Sequence, residues 1–216
     1  VSPTYGSEAS MLANELAKRD PRLAQSIDNP NLPYKLLSDG TPSFNALPSL
    51  DTKYCTTGYH VMKYHSPDPE QWNIGLSTLD VFIFRYAEVL LNYAEAAFEL
   101  GLKDQALQKV NEVRKRAGIK EKNSLTMDDI RNERRVELAF ENLRYWDLVR
   151  WRVASKVMNN TTFSALIPWL DYKTKKYVFE KSVNTLNLPK TFLDKQYYLE
   201  IPGVAQNDLL EQNPGY

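Results

Sequence analysis

The side chains best equipped for chemistry crowd one stretch: Arg131, Glu133, Arg134, Arg135, Glu137, Glu141, Arg144, Asp147, Arg150 and Arg152 share a run with large apolar residues. Two carboxylates facing a cleft roughly 5 to 9 Å apart, one with a raised pKa, are the equipment for acid–base cleavage of a glycosidic bond. Here each carboxylate has arginine at helical spacing, which lowers its pKa and keeps it ionised, so none is suited to donate a proton. The same residues suit an ion-pair network that ties helices together, arginine supplying bidentate geometry. The network is the reading adopted, and no catalytic residue is assigned.

Other chemistries find little support. His60 and His65 lie five positions apart with no third ligand spaced nearby, so no metal site is assigned. There is no phosphate-cradling glycine loop, no GxSxG elbow and no Cys/His pair in a recognisable setting, and no cofactor is called for. The single Cys55 excludes a disulfide framework, a Cys-rich zinc site and a CxxC redox pair. An even balance of 27 basic and 27 acidic residues gives no global field to attract nucleic acid or an anionic membrane.

The aromatic residues are the better binding candidates. The chain holds 13 Tyr, 8 Phe and 4 Trp. A sugar ring presents an apolar C–H face to an aromatic plane, while its hydroxyls need donors and acceptors nearby. Tyr54, Tyr59, Tyr64 and Trp72 lie in a loop-rich stretch, and Trp169 and Tyr172 in a late irregular segment. Trp72, set in Pro69-Glu70-Gln71-Trp72-Asn73 among polar neighbours, is the first choice. Packing is open to each of the six as well.

These residues need a frame, and periodicity predicts a mainly α one with long irregular loops and little β-structure. Ser7 to Arg19 reads as an amphipathic helix ended by Asp20-Pro21, after which Asp20-Pro21-Arg22 turns the chain and leaves Arg22 to pair locally. From there to about Leu79 prolines punctuate a loop, with a strand-like run at Tyr59 to Tyr64 behind the Thr56-Thr57-Gly58 turn. Ile83, Ala87, Leu90, Ala94 and Ala97 predict a helix from about Thr78 to Leu100, stopped by Gly101. A second, Lys103 to Ala117, buries Ala106, Val110, Val113 and Ala117 and closes at Gly118. The Gly101-Leu102 link makes the two antiparallel, a tetratricopeptide-like pair.

Thr126 with Asp128 and Asp129 starts a further helix, whose apolar side is Val136, Ala139, Phe140 and Leu143. Another runs from Tyr145 to about Met158. Beyond Asn159-Asn160 come mixed turns with a short hairpin, then an irregular tail. No apolar stretch is long enough to span a bilayer, and the charged first twenty residues are no signal segment. Because the chain opens at Val1, trimming is expected, and an export signal can have been lost with it.

Seven short segments, taken in order, resemble the C-terminal region of the SusD/RagB family. They are Arg19-Asp20-Pro21-Arg22-Leu23; Thr57-Gly58-Tyr59 with Lys63-Tyr64; and the run from Arg85-Tyr86-Ala87-Glu88-Val89 to Asn92-Tyr93-Ala94-Glu95-Ala96. Then follow Asn111-Glu112-Val113-Arg114-Lys115-Arg116-Ala117-Gly118, and Glu133-Arg134-Arg135-Val136-Glu137-Leu138-Ala139-Phe140-Glu141 with Arg144-Tyr145-Trp146-Asp147-Leu148-Val149-Arg150-Trp151. Ile201-Pro202 and Gln212-Asn213-Pro214-Gly215-Tyr216 complete the set. Each is weak alone, and their order makes the resemblance specific.

The resemblance implies tetratricopeptide-like helix pairs in a lipoprotein on the outer surface of a Bacteroidetes-type outer membrane. Such a protein forms a lid on a SusC-like TonB-dependent transporter and binds glycans or other nutrients without altering them. Two departures go with it. The lipid-bearing N-terminal Cys is missing, since Cys55 is internal, so a lipid anchor would lie outside this chain; and the family's N-terminal helical-repeat half is absent. Residues 1–216 are accordingly read as a single domain. The expected function is non-catalytic capture of an oligosaccharide or other nutrient, with a helical-repeat module that docks proteins as the alternative.

Overall fold

The computed structural model describes residues 16–17, 19–28, 32–44, 55, 57, 59–73, 75–80, 82–162, 164–171, 173, 176–182, 189–204 and 209–216. They divide between two compact units, Val1–Glu141 with Leu166–Glu180, and Asn142–Ala165 with Lys181–Tyr216. The chain is mainly helical, as its periodicity predicts, and its described strands form two small two-stranded sheets. No helix among the described residues is long and apolar enough to cross a membrane.

The first unit begins, beyond the predicted Ser7–Arg19 helix that lies mostly outside the described residues, with α1 (Pro21–Ser26). Proline opens this helix where a missing N–H costs nothing, and Asp20 caps it by accepting from the Arg22 N–H at 3.0 Å. β1 (Pro33–Leu36) and β2 (Pro42–Phe44) then pair antiparallel, with a bulge between Pro33 and Lys35. The strand-like run at Tyr59–Tyr64 is a single bridge, Ile27 to Val61. It ends in a turn where the His65 N–H donates to the Met62 carbonyl at 3.0 Å and Tyr64 takes φ 66°, which breaks extended pairing.

α2 (Tyr86–Glu99) starts at Tyr86, not at Thr78. Arg85 is extended, φ −140° and ψ 162°, and Ile83, assigned from its spacing to the buried stripe, is 91% exposed. Apolar spacing alone extended the helix too far; the guanidinium of Arg85, bound elsewhere, fixes where it begins. α3 (Lys103–Arg116) runs back against α2, and Leu91, Ala94, Ala106 and Val110 between them have no exposed surface. Gly101, at φ 78°, closes α2: its N–H donates to Phe98 O and that of Leu102 to Ala97 O. This is a Schellman cap, and Gly118 at φ 70° repeats it after α3, so Ala117 is a cap and not a helical residue.

α4 (Met127–Glu137) packs on α2 and opens with a reciprocal box. The Asp129 N–H donates to Thr126 Oγ1 at 3.2 Å, and the Thr126 N–H to Asp129 Oδ2 at 2.8 Å. It stops at Glu137, so of the apolar side predicted for it only Val136 is helical; Phe140 is half exposed, and Phe140 and Asn142 have φ 65° and 60°. Cationic side chains serve its last carbonyls. Lys63 Nζ donates to Glu137 O at 3.3 Å and Ala139 O at 3.0 Å, and Arg85 Nη2 to Glu137 O at 2.7 Å.

The second unit replaces the single helix expected over Tyr145–Met158 with two, α5 (Arg144–Arg150) and α6 (Ala154–Met158). Arg152 takes φ 55°, its guanidinium lies 4.8 and 4.7 Å from the rings of Tyr197 and Tyr198, and Nη2 donates to Tyr198 Oη at 2.8 Å. That clamp holds the break. Leu148, Ala154 and Phe192 form the buried core beside it. The predicted hairpin, β3 (Ala165–Asp171) with β4 (Lys176–Ser182), falls almost wholly within the first unit.

Candidate functional site

The carboxylates that open the question of catalysis lie one helical turn apart along α4 and just past its end. Glu133, Glu137 and Glu141 have side chains only 3%, 1% and 7% exposed. Buried charge at this spacing is tolerable only where cations converge on it. Arg22 Nη1 donates to Glu133 at 2.7 Å and Glu137 at 2.9 Å, and its Nε and Nη2 hold both oxygens of Asp20 at 2.9 and 2.6 Å. Local pairing of Arg22 was foreseen; its reach to α4 was not. Arg85 forks onto Glu141 at 2.8 and 2.9 Å and reaches Glu137 at 2.6 Å. Arg114 and Arg116, on α3, complete the set at 2.6 Å from Glu133 and Glu137.

Charge follows geometry. Burial opposes the positive form of Arg22, but the bonds to Asp20, Glu137 and Glu133 outweigh it and carry its pKa above the ordinary arginine value. Burial likewise works to raise Glu141, yet Arg85 and Lys63 win and hold its carboxyl below the usual range. An ionised Glu141 is no proton donor, and its lone pairs are engaged. The residues read together in sequence separate: Arg134 bonds Asn92 at 2.6 Å, while Asp147 and Arg150 pair at 3.0 Å within the second unit. The partners that reading omitted, Arg22, Lys63, Arg85, Arg114 and Arg116, all sit in the other signature segments. Their shared presence there was the available signal.

The aromatic candidates fare differently from one another. Trp72 closes the 3-10 turn Pro69–Trp72, which Asp68 caps through the Glu70 N–H at 3.0 Å. Its Nε1 donates to Ser66 O at 2.8 Å, and its ring remains 43% exposed. Tyr34, not singled out from sequence, and His65, weighed there only as a metal ligand, stand 5.7 and 5.5 Å away, stacked on each other at 5.3 Å, and Lys35 Nζ lies 6.0 Å from the indole. A ring surface framed by Ser66, His65 and Lys35 is thereby presented.

Tyr64, also outward, faces Phe82 at 5.8 Å with the rings inclined by 47°. The two rings touch each other, and beside them opens a cleft of about 340 Å³ that they line together with Lys63, Arg85, Glu141, His65, Leu79 and Asp80. Burial, and then the charge of Glu141, push the Tyr64 phenol above its ordinary pKa, so it keeps its proton as a donor. Tyr59 packs, half-buried, against Leu16 and Ile27. Trp169 is half exposed and donates from Nε1 to Glu180 at 2.9 Å across the hairpin; among the described residues no ring contact links it to Trp72 or Tyr64. Tyr54 and Tyr172 lie outside the described residues.

Comparison with known proteins gives a consistent result. The SusD family model matches residues 2–216. A SusD-like protein of Bacteroides ovatus is 35% identical over 131 residues, covering 58% of this chain and 23% of its own. Among solved structures, a SusD-like protein from Bacteroides fragilis superposes with a TM-score of 0.72 at 24% identity, over 99% of this chain and 44% of its own. A SusD-like carbohydrate binding protein from the same species gives 0.59 at 25% identity, over 94% and 43%. The chain thus spans less than half the length of each of these relatives.

Proposed function

The chain belongs to the SusD family, and from that premise we propose that it captures glycan at the outer surface of a bacterial outer membrane, without altering it, and passes it to a SusC-like TonB-dependent transporter. The observation that carries this reading is the division of labour in the first unit. Its buried carboxylates are engaged by arginine and lysine, whereas aromatic rings with polar neighbours are turned outward at Trp72 and Tyr64. Such a surface grips sugar by stacking and leaves its bonds intact. The carbohydrate binding relative in Bacteroides fragilis supports the ligand class. Affinity for one short glycan should be modest and rise through multivalent contact with a polymer.

Affinity electrophoresis of the purified protein across neutral and anionic polysaccharides tests this. Retardation by a glycan, lost in Trp72→Ala, supports capture and places a contact at Trp72; a protein retarded by none is not a glycan-capture protein. A docking module for proteins is favoured by one feature, the outward stripe of Tyr86, Val89 and Tyr93 on α2, exposed by 66%, 45% and 46%. It gains if the panel is silent.

A further inference from the structure

Tyr64 is a bulky residue at φ 66°, a left-handed conformation that glycine adopts freely and a tyrosine only where its surroundings impose it. The imposing contact is next to it: Lys63 is fixed by Glu141 and by the carbonyls of Glu137 and Ala139. Beside Tyr64 stands Phe82, 62% exposed and three residues before Arg85, and Arg85 is fixed by the same Glu141. One buried carboxylate therefore anchors both sides of the cleft. The two rings pack on each other, yet both keep exposed surface, Tyr64 40% and Phe82 62%. Strain of this kind, held by an over-determined surround and ending in an exposed ring opposite a second ring, marks a preorganised contact surface.

Resting on the glycan-capture reading, we propose that the cleft beside the Tyr64–Phe82 pair is a subsite for an uncharged sugar ring, with Glu141 as the positioning residue that sets its walls. The ring surfaces that the pair leaves exposed toward the cleft are apolar and suit the C–H face of a pyranose. At about 340 Å³ the cleft is at the small end of ligand sites, which run from roughly 300 to 1,000 Å³, and suits a short segment of a glycan. The charge of the lining selects the class. Lys63 and Arg85 spend theirs on Glu141 and Glu137, so neither offers an uncommitted cation. Asp80, exposed at the rim, makes no hydrogen bond or ion pair among the described residues. A carboxylate there accepts from vicinal hydroxyls and repels a uronate or sulfate.

The test is affinity electrophoresis of wild type, Phe82→Ala, Tyr64→Gly and Trp72→Ala against laminarin, amylopectin, mannan, polygalacturonate and chondroitin sulfate, with folding checked by circular dichroism. Phe82 is exposed and glycine suits φ 66°, so both cleft variants should fold. The expected result is binding of a neutral polymer that falls roughly tenfold in Phe82→Ala and in Tyr64→Gly, the loss of one stacking wall. Glu141→Gln should weaken the same polymer and leave its order of preference unchanged. A neutral glycan held at wild-type strength by both cleft variants but lost by Trp72→Ala overturns the subsite and leaves capture standing. Binding to the anionic polymers alone overturns the neutral class, and no binding at all by wild type overturns the capture reading itself.

Discussion

Nη1 of Arg22 stands 2.9 Å from Oε2 of Glu137, joining positions 115 apart in sequence. The contact brings the N-terminal turn of α1 onto the C-terminal end of α4, and it is buried on both sides. Arg22 is one of three guanidinium groups on that carboxylate, with Arg85 and Arg116. Removing the charge from Glu137 takes a buried partner from all three at once, leaving Arg22 with Asp20 and Glu133 and Arg85 with Glu141. Glu137→Gln should destabilise by about 3 to 5 kcal/mol in urea unfolding, as breaking a buried pair from one side does. Arg22→Lys keeps the charge but cannot fork to Asp20, Glu133 and Glu137 together, and should cost about 1 to 3 kcal/mol through unmet acceptors.

Acid should unfold the first unit through this cluster. Asp20 is held below the ordinary aspartate value, first by the Arg22 hydrogen bond, and Glu141 below the ordinary glutamate value despite its burial. A carboxyl lowered in the folded state contributes its full stability above its unfolded pKa and loses it as pH falls through the folded one. Stability followed by thermal melts should therefore be flat near neutrality and decline below the ordinary carboxylate range. Glu141→Gln should decline less steeply there, and an equal slope would remove Glu141 from the linkage.

The α4 box can be tested singly. Lys122 first, then Thr126, lower the Asp129 carboxyl to about 2. Thr126→Ala removes the oxygen that receives the Asp129 N–H, and should cost about 1 kcal/mol at neutral pH. That difference should narrow as pH falls from the ordinary aspartate value of 3.8 toward 2.

Gly101 separates conformation from space. At φ 78° it has nothing within 4 Å of where a Cβ would stand. Gly101→Ala should still destabilise by about 1 kcal/mol, and Gly101→Asn by less, because the cost is in the backbone. Equal melting of both variants and wild type would contradict this.

How much of this was legible in the chain depends on the distance over which each residue acts. The α2–α3 hairpin was, because Ala94, Ala97, Ala106 and Val110 repeat at helical spacing and two glycines close the helices. The start of α2 was not: Ile83 continues the same apolar spacing, and only the long-range bond of Arg85 to Glu137 and Glu141 ends the helix there. The break at Arg152 escaped for a like reason, since Tyr197 and Tyr198 that clasp it lie far along the chain. Exposed Trp72 was readable from its polar neighbours. Tyr34 beside it was not, because nothing local in sequence brings β1 to the loop.

Phe82, Trp72 and Tyr64 are exposed by 62%, 43% and 40%, while the carboxylates beneath are sealed. Exchange of an exposed ring perturbs folding little; exchange of a buried ion perturbs it greatly. On the capture proposed above, recognition and foldability are encoded in different residues a few positions apart, as at Tyr64 beside Lys63. A lineage carrying this frame can drift from one ligand to another through single substitutions on its outer rings, each intermediate still a folded protein, and directed evolution of its specificity can be confined to those few positions.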